Sequence, residues 1–116
     1  MKEYLGLEPE NDAQGVLQDI HWSMGAFGYF PSYALGNLYG LQFYNKLRLD
    51  IPDLENLVAQ GKFSLVHEWL YENIQKYGRR LDPPELLRQV TDTSLSVHPF
   101  LDYIEGKYSR IYGILT

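Results

Sequence analysis

Cysteine is absent from this chain, which removes both a disulfide framework and a thiolate metal site from consideration. Positive charge is scarce: 10 Lys and Arg stand against 15 Asp and Glu, a net charge of −5. Nucleic-acid binding driven by phosphates needs a clustered basic surface, and the only adjacent basic pair is Arg79-Arg80, so no nucleic-acid partner is expected. Long apolar runs are missing too, and the polar, acidic opening MKEYLGLEPEND lacks the apolar centre of a signal peptide. The expectation is a soluble, cytoplasmic protein with no membrane partner. What the sequence does have is apolar and aromatic substance. Hydrophobic residues make up 45% of the 116 positions, with 10 Tyr, 5 Phe and 2 Trp, enough for one sizeable core and a single domain over residues 1–116.

Apolar residues recur at helical spacing nearly throughout, and the breaks fall at residues that stop helices. The expected fold class is therefore all-α, a compact array of about five or six helices. A short helix is predicted over Lys2 to Leu7, followed by a loop through Pro9 and Asn11 with Asp12 as the next cap. Val16, Leu17, Ile20 and Met24 predict an amphipathic helix from Ala13 to about Ser23, interrupted by Gly25 and Gly28. From Pro31 a longer stripe of Leu35, Leu38, Tyr39, Gln42, Phe43 and Leu47 predicts the longest helix. Gly36 and Gly40 lie four apart on it and each weakens a helix, so another backbone is expected to pack closely there. Asp50-Ile51-Pro52 is read as opening a brief helix to Ala59, and Phe63 to Tyr77 as another, stopped by Gly78. Asp82 and Glu85 form a reciprocal capping pattern for Pro83 to Thr91. Ser96 is the expected cap of the last helix, which Gly113 closes.

The densest chemistry lies in Gly15 to Tyr33, where a carboxylate, an amide, an imidazole, an indole and two phenols surround several glycines. The imidazole of His21 is suited to stabilising a developing oxyanion, or equally to a hydrogen bond in a helix interface. On a helix Asp19 and His21 would stand roughly 200° apart and could not easily chelate one ion. His67-Glu68 on a predicted helix invites a zinc-protease reading, but the second histidine should fall at position 71, which is Tyr71. No serine sits in a Gly-x-Ser-x-Gly elbow, and no glycine-rich phosphate loop is present. Phenols on a glycine-flexed turn, as in Phe27, Tyr29, Phe30 and Tyr33, can donate to a substrate oxygen while their rings pack on its side chain.

Gly15-x-x-Gln18-Asp19-x-His21-Trp22 resembles the Gly-x-x-Gln-Asp-x-His-Trp signature of the Taq-type thermostable metallocarboxypeptidases. Phe27-Gly28-Tyr29-Phe30-Pro31-Ser32-Tyr33 and Leu35-Gly36 resemble that family's next stretch, and the likeness runs through Gln42 to the tail Tyr103-x-x-x-Lys107-Tyr108-x-x-x-Tyr112. The resemblance implies an all-helical, zinc-dependent exopeptidase that removes the C-terminal residue from peptides, usually as a homodimer. The family holds its zinc with a His-Glu-x-x-His helix and a downstream Glu, all upstream of this signature, and none of them is in this sequence. No metal ligand is assigned here, and zinc belongs to the intact enzyme. His98-Pro99-Phe100 is read as a helix start and does not inherit the family's upstream His-Pro-Phe role.

By this resemblance the chain corresponds to the C-terminal quarter or so of such an enzyme, inactive until joined to the missing N-terminal catalytic portion. His21 and Tyr29 are the expected catalytic pair, stabilising the tetrahedral oxyanion, with Tyr33 as the competing phenol. Gln18 and Asp19 are expected to orient His21 or contact the peptide substrate, with Trp22 packed behind. The alternative is a stand-alone helical interaction module derived from such an enzyme. Either way, exposed apolar faces including Phe27, Tyr29 and Phe30 favour a homo-oligomer. A metal-independent peptide binder is a third reading, resting on the aromatic run alone.

Overall fold

The computed structural model describes residues 2–113, and the chain divides into two compact units, one up to Tyr33 and one from Ala34 onward. Among the described residues there are six α-helices and no strand, as the helical spacing required. They are α1 (Lys2–Leu5), α2 (Phe30–Asp50), α3 (Leu54–Ala59), α4 (Ser64–Asn73), α5 (Pro83–Thr91) and α6 (His98–Tyr112).

The first unit departs most from its predicted form. The amphipathic helix expected from Ala13 to Ser23 is replaced by two short 3-10 turns, Asp12–Gln14 and Val16–Gln18, followed by tight turns. The cap is Asn11, not Asp12: its side chain accepts the Gln14 N–H at 3.1 Å. Short polar side chains are the physical reason. Asp19 Oδ1 accepts the His21 backbone N–H at 2.8 Å and Ser23 Oγ donates to the Ile20 carbonyl at 2.9 Å, local bonds that compete with a helical ladder. None of this unit's described residues is buried.

The second unit has the core. Leu47, Leu54, Trp69 and Val90 form a buried cluster, with Phe43, Ile51, Val66, Leu70, Ile74 and Leu86 packed against it. The Trp69 indole N–H donates to Asp50 Oδ2 at 2.8 Å, which satisfies the one polar atom this ring takes inside. Asp50 is thus the last residue of α2 and not the first of α3, which starts later than expected. Gln42 is buried on α2 and fully partnered. Its amide donates to Thr93 Oγ1 at 3.0 Å and the Ser94 carbonyl at 2.9 Å, and its Oε1 accepts the Ser96 N–H at 2.9 Å.

Capping is well placed in this unit. Asp82 N–H donates to Glu85 Oε2 at 3.1 Å at the start of α5, whereas the cap of α6 is Val97 and not the expected Ser96, whose Oγ accepts the His98 N–H at 3.2 Å from one residue further out. The helix predicted over Phe63 to Tyr77 ends early, at Asn73, and tightens into a 3-10 turn over Gln75–Tyr77 before Gly78. The close backbone contact expected at Gly36 and Gly40 is not made. A Cβ placed on either glycine meets nothing within 4 Å among the described residues, so that face of α2 is open.

Candidate functional site

Two glycines shape the site. Gly25 and Gly28 take φ of +77° and +73°, a left-handed conformation that costs other residues strain, and they reverse the chain after the turn that opens at His21. That turn is closed by the Met24 N–H on the Ile20 carbonyl at 3.0 Å and the Ala26 N–H on the His21 carbonyl at 2.8 Å. The reversal carries Tyr29, Phe30 and Tyr33, the last two on the first turn of α2, back over the imidazole of His21.

His21 is the hub. Its Nδ1 lies 3.0 Å from Asp19 Oδ1, and its Nε2 lies 3.1 Å from the Tyr33 hydroxyl. The Tyr29 ring stacks beside it at 5.6 Å between centroids and 22° between planes. Phe30 tilts over it at 5.1 Å, and Tyr33 meets it edge-on at 6.0 Å. Tyr29 and Tyr33 are themselves edge to face at 5.1 Å. The imidazole is still 29% exposed, so the cluster opens to solvent and is not sealed inside a core. The Asp19 carboxyl is held below the usual carboxylate range, chiefly because it accepts the His21 backbone N–H and next because the imidazole bonds it.

Absence of a helix makes this geometry possible. The helical spacing would have set Asp19 and His21 on different faces, whereas the observed turn lets one carboxylate bond both the backbone and the ring of His21. Gln18 and Trp22 turn to other partners. Gln18 Nε2 donates to the Ala13 carbonyl, tying down the 3-10 segment. Trp22 stacks on Phe27 at 6.2 Å and is 64% exposed. It also borders an apolar hollow of about 350 Å³ with Val16, Leu17, Asp19, Ser23 and Phe30. Phe30 is the site residue that the sequence reading left unassigned; its signal was membership of the aromatic run.

Zinc does not fit this cluster. A catalytic zinc takes three protein ligands, and the site offers one imidazole already engaged by a carboxylate and a phenol. Among the described residues no three His, Asp or Glu side chains gather as a metal site, and His67 and Glu68 both lie exposed on α4. No helix of the described residues is long and apolar enough to cross a membrane.

Residues 1–108 match the family described as Carboxypeptidase Taq (M32) metallopeptidase. Carboxypeptidase 1 of Bacillus subtilis is 41% identical over 96% of this chain and 22% of its own length. Thermostable carboxypeptidase 1 of Thermus thermophilus is 42% identical over 97% of the chain, again 22% of its own. The crystal structure of the M32 carboxypeptidase from Deinococcus radiodurans superposes with a TM-score of 0.83 at 40% identity, covering 97% of this chain and 23% of that one. The chain thus spans about a fifth of the length of the relatives it matches.

Proposed function

Given that the chain belongs to the Carboxypeptidase Taq (M32) metallopeptidase family, we propose that it is the substrate-side, C-terminal portion of a zinc-dependent carboxypeptidase that removes the terminal residue from peptides. The observation that carries this reading is the open cluster in which Asp19 and His21 of the signature meet Tyr29 and Tyr33 of the stretch that follows it. An imidazole and a phenol side by side are the donors that a tetrahedral oxyanion needs. In this role His21 and Tyr29 face the scissile carbonyl, Asp19 and Tyr33 hold the imidazole, and Phe30 packs over it. The hollow beside Trp22 suits an apolar substrate side chain. Gln18 shapes the loop through the Ala13 carbonyl, and its amide oxygen is the group left to orient His21 or contact the peptide.

The metal and the activated water come from the missing N-terminal portion, which is the chain's first partner, and the assembled enzyme is a homo-oligomer. This portion is inactive alone, because oxyanion donors contribute about 10²- to 10³-fold, far short of peptide hydrolysis. The test is to mix the chain with the complementary portion of such an enzyme and follow metal-dependent release of C-terminal residues. His21→Ala and Tyr29→Phe should each lower kcat about 10²- to 10³-fold with KM little changed. Unchanged turnover in both variants would retire the assigned roles, and trimming by the chain alone in excess chelator would overturn the reading. The stand-alone interaction module draws support from the exposed Trp22, Phe27 and Met24; it gains if the mixture never assembles.

A further inference from the structure

The two bonds to His21 jointly specify where its proton sits. An ionised carboxylate can only accept, so Asp19 Oδ1, already taking the His21 backbone N–H at 2.8 Å, requires a proton on Nδ1 at 3.0 Å. A neutral imidazole carries one proton, so Nε2 then has a lone pair. The Tyr33 hydroxyl, 3.1 Å away, is the donor to it. We infer that neutral His21 is held as its Nδ1–H tautomer, accepting the Tyr33 phenol on Nε2, with Asp19 and Tyr33 as the positioning residues that hold it so.

The consequence for catalysis rests on the oxyanion role proposed above. In the neutral state neither His21 Nε2 nor Tyr33 has a proton to offer a substrate oxygen, since the phenol's only proton is spent on the imidazole. One proton from solvent on the Nε2 lone pair forms an N–H bond and breaks only the O–H···N hydrogen bond. His21 then presents Nε2–H, Tyr33 regains a free O–H, and Asp19 is the counter-charge on the far side of the ring. A single proton therefore reverses the bond: the Tyr33 oxygen accepts the new Nε2–H, and the phenol's own O–H is freed for a substrate oxygen. The titratable groups facing the ring in this unit are Asp19, Tyr29 and Tyr33; Phe30, the remaining neighbour, is uncharged.

The tautomer is read by long-range ¹H–¹⁵N correlation spectra of the full chain labelled with ¹⁵N, with His21 identified by its loss in His21→Gln. At alkaline pH the expected spectrum has a protonated-type Nδ1 and an unprotonated-type Nε2. Asp19→Ala should shift the proton to Nε2, the form favoured by free imidazole. Tyr33→Phe should keep the tautomer but move the Nε2 signal toward that of an unbonded ring nitrogen. A neutral wild-type His21 protonated on Nε2 overturns the inference without need of any variant. An unchanged tautomer in Asp19→Ala, or an unmoved Nε2 signal in Tyr33→Phe, removes the role of that residue. The measurement needs no turnover. Its failure leaves the oxyanion proposal to the activity assay, and failure of that assay leaves the tautomer standing.

Discussion

Asp50 does for the core what Asp19 does for the site. It accepts from Lys46 and from the indole of the buried Trp69, and its carboxyl is held below the ordinary range, first by the Lys46 bond and then by the Trp69 bond. Asp50→Ala leaves a buried indole N–H without its acceptor and should cost about 1–2 kcal/mol at neutral pH by urea unfolding. The sign of the pH dependence follows from the direction of the shift. A carboxyl with a depressed folded-state pKa stabilises fully above its ordinary value of about 3.9 and loses that contribution as pH falls through the lower folded value. The gap between wild type and Asp50→Ala should therefore close in acid; a gap constant down to about pH 2.5 would contradict the assignment. The partners of single side chains were poorly legible from sequence. Asp19 with His21 and Asp50 with Trp69 are both pairs that depend on where a helix stops, and a spacing rule that assumes a helix throughout separates Asp19 from His21.

Individual helices were legible where two independent signals agreed. α5 has a capping pair at Asp82 and Glu85 as well as prolines in its first turn, and it forms over Pro83–Thr91 as read. α2 and α6 had long apolar stripes, and they begin at Phe30 and His98, within two residues of the start signals at Pro31 and Ser96. The segment from Ala13 to Ser23 had the stripe alone. There the side chains of Asn11, Asp19 and Ser23 bond nearby backbone and win over the ladder, which periodicity of apolar residues cannot register. Gly36 and Gly40 show the complementary difficulty, since a small residue marks a close approach without saying which chain approaches. In this chain Gly40→Ala meets open space, so it should raise stability by about 0.5–1 kcal/mol in thermal or urea unfolding. If the same change is instead destabilising once the complementary portion of a relative is added, the glycines face that portion. A loss of stability in the chain alone would refute the open face.

Across the whole molecule, burial is lopsided. Every described buried residue belongs to the unit that starts at Ala34, while Val16, Leu17, Ile20, Met24 and Phe27 in the other are between 59% and 74% exposed. A unit made mostly of turns, with no buried side chain among its described residues, has little to oppose local opening. Amide hydrogen exchange should therefore be at least about 10²-fold faster over residues 16–28 than over α4 and α5. Addition of the complementary portion should slow the first set and leave the second unchanged. Equal protection in the isolated chain would mean that the first unit is held more firmly than its exposure allows. The two indoles divide along the same line: Trp22 is open to water and Trp69 is 8% exposed. The protein thus comes with one indole fluorophore in each unit. Emission from position 22 would report docking of a partner chain and emission from position 69 the melting of the core, with no dye attached.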